Sequence, residues 1–177
     1  IVTNLADRDQ AIKDILVSSF GFSGQKCSAA SLIICEKNVY KDKAFLNQLK
    51  DAVSHLPVGV SWNPHAKIVP LSNITPHKLK RGLSTIDKGE KWLLKPKQDK
   101  DNPNLFSPGI KLGVKPGAFM HQTELFGPVI GIMCAENLDH AIKIANATGY
   151  GLTAGLESLD ENEQAYWSRY IKAGNAY

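Results

Sequence analysis

Two apolar runs, Ser31-Leu-Ile-Ile-Cys35 and Val129-Ile-Gly-Ile-Met-Cys134, restrict this chain more than any other feature. Each is short and continuous, which marks a buried strand. Segments with helical spacing lie between and around them. Phe45, Leu46, Leu49, Ala52, Val53 and Leu56 form one unbroken apolar stripe, which Pro57 and Gly59 end. Strands alternating with helices of this length imply an α/β sandwich with a largely parallel sheet. No repeat or linker interrupts residues 1–177, so a single domain is expected.

The remaining segments fit that alternation. Residues 1–4 read as a short strand, and Asp7 suits the N-cap of a helix carrying Ile12, Ile15, Leu16, Ser19 and Phe20. A strand is expected over residues 29–36. Thr75-Pro76 has the pattern of a helix start, with Leu79, Leu83 and Ile86 on the buried face. Strands are expected at residues 92–94 and 107–114, separated by an exposed polar loop over 95–102. A loop over 124–128 leads into a strand over 129–135. Leu138, Ala141, Ile142 and Ala145 then mark a helix that Gly149 and Gly151 stop. Residues 152–157 read as a strand. Ser158 and Glu161 have capping-box spacing ahead of a helix carrying Ala165, Tyr166, Tyr170 and Ile171.

Hydrophobic residues make up 43% and charged residues 21% of the chain, which excludes a disordered polyampholyte. The net charge of +4 is spread, and the densest basic stretch is His77-Lys-Leu-Lys-Arg81. No aromatic platform accompanies it, so it reads as a solvated helix face and no nucleic-acid partner is expected. The three cysteines, Cys27, Cys35 and Cys134, are an odd number without Cys-x-x-Cys spacing, against a disulfide framework or a zinc site. His121 lies three residues before Glu124, but two ligands fall short of a metal site. No apolar run approaches transmembrane length and no signal peptide is apparent, so the expected setting is the cytoplasm. Both ends, Ile1 and Gly174-Asn-Ala-Tyr177, read as interior to a longer protein.

The stretch Phe20-Gly-Phe-Ser-Gly-Gln-Lys-Cys27-Ser-Ala joins the first helix to the next strand. Gly21 and Gly24 let the backbone bend sharply there, because glycine tolerates positive φ. Such a turn can present a thiol outward as a nucleophile, and the turn residues alone equally allow a structural loop cysteine. Cys35 and Cys134, inside the apolar runs, read as small buried hydrophobes.

Gly24-Gln-Lys-Cys27-Ser-Ala resembles the active-site segment of the aldehyde dehydrogenase superfamily. Glu124-Leu-Phe126-Gly-Pro-Val resembles that superfamily's cofactor segment. Cys27 and Glu124 lie 97 residues apart (124 − 27), a spacing that suits the family. The resemblance implies a three-layer sandwich of the catalytic-domain type and assigns the nucleophile to Cys27. It implies NAD or NADP as cofactor, with Glu124 accepting from the nicotinamide-ribose hydroxyls and Phe126 packing on that ribose and the ring.

Ser28 after the nucleophile resembles the branch that oxidises glutamate semialdehyde, where this serine helps hold the substrate carboxylate. The other reading of Ser28 is a small residue fitting a tight turn. Trp92-Leu-Leu, Asn102-Pro-Asn-Leu, Ser107-Pro-Gly-Ile, Pro116-Gly-Ala-Phe-Met-His121-Gln-Thr-Glu124 and the tail from Gly149 to Ser158 resemble the 1-pyrroline-5-carboxylate dehydrogenase part of bifunctional proline utilisation A proteins. FAD enters only if a proline dehydrogenase domain exists elsewhere in the parent chain.

The resemblance covers nearly the whole chain but only the catalytic half of the family's fold. No Gly-x-Gly-x-x-Gly loop appears. The family's general-base Glu, oxyanion Asn and carboxylate-anchoring loop have no counterpart here. The implied partners are an aldehyde substrate, the dinucleotide-binding domain of the same parent chain, and further copies in a homo-oligomer. The 177 residues alone are expected to be inactive. Two alternatives stay open: a dehydrogenase that passes its thioester to coenzyme A, and a catalytically silent scaffolding homologue.

Overall fold

A computed structural model describes residues 1–72 and 77–177 of the protein. Helix α1 (Arg8–Phe20) starts where the Asp7 carboxylate accepts from the N–H of Gln10 at 2.9 Å. The chain then crosses a tight turn to β1 (Leu32–Glu36), followed by α2 (Lys37–Lys41) and α3 (Lys43–Ser54). Asp42 caps α3 by accepting from the N–H groups of Ala44 and Phe45. Next come α4 (His77–Ser84), β2 (Lys91–Leu94), β3 (Gly109–Leu112), the single turn α5 (Phe119–Gln122) and β4 (Val129–Ala135). The chain closes with α6 (Leu138–Asn146), β5 (Thr153–Ala154), α7 (Glu161–Tyr170) and β6 (Asn175–Ala176).

The four-stranded sheet has the order β1-β4-β3-β2. β1, β4 and β3 run parallel, and β2 pairs antiparallel at the edge. A parallel sheet needs cover on both faces, and here it has it. Ile33, Cys35, Ile130 and Ile132 point to one core, shared with α1 and α3 through Ile15, Phe45 and Leu49. Ile34, Val129, Met133 and Ala135 point the other way, toward Leu79 and Leu83 of α4 and Ala141 and Ile144 of α6. Two cores on opposite faces make the expected three-layer α/β sandwich. Each fully buried Leu or Phe side chain contributes about 1.5–3 kcal/mol, so the α3 stripe alone secures that helix.

Several local expectations differ from the structure. The first four residues make an isolated bridge rather than a strand: Val2 pairs with Cys35 and with Glu157. The expected strand over 152–157 shrinks to β5, two residues paired with β6. Ile86 lies beyond the end of α4 and is exposed. The Thr75-Pro76 helix start lies outside the described residues. The cap of α7 is Asp160, which accepts from Glu163 N–H, while Ser158 donates to the Glu163 carboxylate. The buried face of α7 is Trp167 with half-buried Ile171, against Leu138 and Ile142 of α6. Tyr166 and Tyr170 are exposed at the rim, where Tyr166 donates to Asp139. Cys134 is only half-buried; partial burial first, then Glu136, raises its thiol pKa.

The basic stretch is less free than expected. Arg81 pairs with Asp87 at 2.7 Å and sits 4.1 Å above the Phe119 ring. Lys111 of β3, which no local signal singles out, is buried 3.9 Å from Glu90 and 5.0 Å from the Trp92 ring centroid. Burial lowers its pKa, with Glu90 opposing the shift. Among the described residues, no helix is long and apolar enough to cross a membrane.

Candidate active site

The Cys27 thiol sits on the connection between α1 and β1. Phe22, Ser23 and Gly24 take φ of 56°, 59° and 69°, three left-handed residues in succession. A left-handed residue other than glycine costs roughly 1–2 kcal/mol, so this turn is held by its surroundings. Gly21 has φ of −53° and does not use the freedom expected of it. The chain then makes a second turn, closed by Ala29 N–H donating to the Lys26 carbonyl at 3.0 Å. Cys27 and Ser28 occupy its two central positions, and both are exposed. Among the described residues the backbone N–H of Cys27 donates to no protein group.

Glu124 and Phe126 sit on the loop that feeds β4. Leu125 and Gly127 are buried on either side of exposed Phe126, whose φ is 60°. Helix α4 receives this loop. A side chain at Gly82 would collide with Leu125, and one at Gly127 with Leu79. Behind it, buried His121 accepts from Gly117 N–H at Nδ1 and meets the Ile144 carbonyl through Nε2, each at 2.9 Å. Nε2 therefore carries the proton, and the ring ties α5 to α6. Tyr150 OH accepts from Glu124 N–H at 3.1 Å.

The two loops meet. Gly24 packs so closely on the Gly127 carbonyl that a Cβ there would fall inside van der Waals contact. Cys27 and Glu124 line one open cleft of about 270 Å³, together with Asp14, Tyr150, Glu157 and Lys172. Burial first, then Asp14, raises the Glu157 carboxyl pKa. Phe126 and Lys26 line a narrow seam beside it, with Gly24 and Glu124. Ser28 is next to Cys27 but is not part of either lining. Both loops lie ahead of parallel strands, so Cys27 and Glu124 stand at the amino ends of β1 and β4, while the cleft continues along β1 past Ile33 and Ile34. Ligands of open α/β sheets more often sit at the carboxyl ends.

The three thiols differ in setting. Cys35 is fully buried, and loss of solvent pushes its pKa up to about 12. We expect iodoacetamide to label Cys27 at least about ten times faster than either other cysteine, since thiolate character and access set the rate. Mass mapping of the native protein checks this. Prior labelling of Cys35 or Cys134 contradicts it.

Comparison with known proteins decides the lineage of this site. A model described as the aldehyde dehydrogenase family matches residues 1–177. The chain belongs to the aldehyde dehydrogenase family. It is 34% identical over 180 residues to 1-pyrroline-5-carboxylate dehydrogenase 1 of Halalkalibacterium halodurans, covering 100% of this chain and 34% of that protein. Proline utilization A of Corynebacterium freiburgense superposes with a TM-score of 0.95 at 46% identity, over 99% of this chain and 18% of that one. A Thermus 1-pyrroline-5-carboxylate dehydrogenase, solved with bound NAD, superposes at 0.85 with 30% identity, over 99% of this chain and 34% of its own. The chain thus spans about a third of the length of the curated aldehyde dehydrogenases it matches.

The residues present fit an NAD end group. Among the described residues, the Glu124 carboxylate makes no hydrogen bond. A carboxylate with no partner among the described residues, with the exposed Phe126 ring two residues on, suits a vicinal diol joined to a flat heterocycle. The tie of His121 to Ile144 and that of Tyr150 to Glu124 escape sequence reasoning. Each spans 23 or 26 residues and has no local pattern.

Proposed function

We propose that these 177 residues are the nucleophile-bearing part of an NAD-dependent aldehyde dehydrogenase that oxidises glutamate 5-semialdehyde, in equilibrium with 1-pyrroline-5-carboxylate, to glutamate in proline catabolism. The observation that carries this reading is the joining of the Cys27 turn and the Glu124 loop around one cleft, across 97 residues of sequence (124 − 27). The similarity to named 1-pyrroline-5-carboxylate dehydrogenases supports the choice of substrate. The parent protein supplies the dinucleotide-binding domain and the general base, acts in the cytoplasm and assembles as a homo-oligomer.

Cys27 is the nucleophile. Its thiolate adds to the aldehyde carbon, because sulfur is strongly nucleophilic and gives an adduct that can later be released. The Cys27 N–H is the local donor for the oxyanion. Ser28, at the neighbouring turn position, donates to the substrate carboxylate. Glu124 and Phe126 hold the nicotinamide-ribose end of the cofactor. NAD held there would supply the hydride acceptor that oxidation of the Cys27 adduct to a thioester requires. Water then releases the acid from Cys27.

The test is NADH formation by the full-length parent protein with glutamate semialdehyde and NAD. We expect turnover on the order of 1 per second or more, with free glutamate as product whether or not coenzyme A is present. A product that requires coenzyme A, or an inert Cys27, refutes the reading. Glu124→Gln in the same protein should lower kcat/KM for NAD by about 10- to 100-fold, since a misplaced hydride acceptor is costly. Its melting temperature should stay close to that of the wild type, as Glu124 is only half-buried and its carboxylate holds no described partner. Unchanged turnover with a lowered melting temperature would make Glu124 a structural residue.

A further inference from the structure

The left-handed turn ahead of Cys27 is gripped from one side by a segment distant in sequence. Ser23 is fully buried. Its hydroxyl donates to the Val69 carbonyl at 2.9 Å and accepts from the Val69 N–H at 2.7 Å. Two residues on, the Gln25 side-chain carbonyl accepts from Ser72 twice, from its N–H at 2.9 Å and its hydroxyl at 3.1 Å. The gripping segment is itself fixed. Ile68 and Leu71 are buried, Ile68 N–H donates to the Pro57 carbonyl, and Leu71 N–H donates to the Asn104 carbonyl at 2.8 Å.

We propose that this double clamp, Ser23 to Val69 and Gln25 to Ser72, sets the position of the Cys27 nucleophile, which makes Ser23 and Gln25 positioning residues of the reaction. The inference rests on the functional reading of Cys27 given above. Three left-handed residues in a row, two of them not glycine, relax unless neighbouring structure over-determines them. Ser23 supplies that constraint. Its hydroxyl satisfies both backbone polar groups of one distant residue, Val69, as a strand neighbour would. Ser23 does not line the cleft, so its effect reaches Cys27 through the intervening backbone. Gln25 holds the far side of the same turn, two residues before the thiol. With Gly24 pressed on the Gly127 carbonyl, the turn is fixed against both the 69–72 segment and the Glu124 loop.

The experiment uses the full-length parent protein, with wild type, Cys27→Ala, Ser23→Ala, Ser23→Gly and Gln25→Leu side by side. Steady-state kinetics with aldehyde and NAD are measured, with iodoacetamide mapping of all three thiols. We expect kcat to fall by about 10- to 100-fold in both Ser23 variants, the scale of a small misplacement. Gln25→Leu falls in the same direction. KM for NAD stays within about threefold, because the Glu124 loop is held separately by α4 and Tyr150. Cys27 labelling does not slow, and buried Cys35 stays protected, which shows a folded protein with a reactive but misplaced thiol. A wild-type kcat in folded Ser23→Ala overturns the proposal and leaves the functional reading standing. If the Ser23 variants do not fold, Gln25→Leu decides, and a wild-type kcat there overturns it equally. A wild-type protein without Cys27-dependent turnover overturns both.

Discussion

Replacing Cys27 by alanine in the full-length parent protein is expected to remove aldehyde oxidation, by at least about a thousandfold in turnover, the scale of deleting a covalent nucleophile. The protein stays folded. The side chain is exposed at the centre of a turn and supports no core, and surface substitutions of that kind fall within about 0.5 kcal/mol of neutral. The pairing of outcomes matters more than either alone. Loss of activity with an unchanged melting temperature places the thiol in the chemistry. Retained turnover would remove Cys27 from the mechanism and leave the cleft without a thiol.

The second large effect belongs to Gly24→Ala. A methyl group there meets the Gly127 carbonyl, which is backbone and cannot swing aside, and the residue must hold φ of 69°. Destabilisation of about 2–3 kcal/mol is expected from the left-handed cost plus the clash. The displaced methyl forces the Cys27 turn away from the Glu124 loop, so turnover falls by about a hundredfold as well. Gly113→Ala is the comparison. Gly113 has φ of 83° and the same kind of backbone collision, with the Gly89 carbonyl, but it lies outside the cleft. It should match the loss of stability and keep the wild-type kcat. If Gly24→Ala also keeps it, the seam between the two loops has no part in aligning them.

How much of this was legible beforehand depends on the range over which each feature is determined. Asp7 as a cap, the stripe of α3 and the bounds of β4 are local matters of spacing and composition, and all three are found where expected. The α7 face is different. Tyr166 and Tyr170 fall at helical spacing in the sequence, yet only Trp167 and Ile171 pack into the apolar core with α6, while Tyr166 meets Asp139 at the rim. Which row enters the core is decided by the partner helix, and a single helix does not encode it. Lys111 is a stronger case. A charged residue inside a strand ordinarily faces water, but β3 is covered on both faces, so the amine is buried beside Glu90 and Trp92. At the site, the motif residues were readable because two short matches occur in order. The clamps on them were not, since Ser23 meets Val69 across 46 residues and Gln25 meets Ser72 across 47.

Cys27 and Glu124 stand at the amino ends of β1 and β4, and this bears on which changes of length such a protein can absorb. The two strands are neighbours in fixed register, Leu32 beside Gly131. Cys27 stands five residues ahead of Leu32 and Glu124 seven ahead of Gly131, so the sheet acts as a ruler for the separation of thiol and carboxylate. One residue inserted into either lead-in segment shifts one group against the other with no slack to absorb it. Insertions beyond the carboxyl ends leave that measure untouched. A residue inserted between Ala29 and Leu32 is therefore expected to cost more turnover than one inserted after Ala135, beyond the carboxyl end of β4.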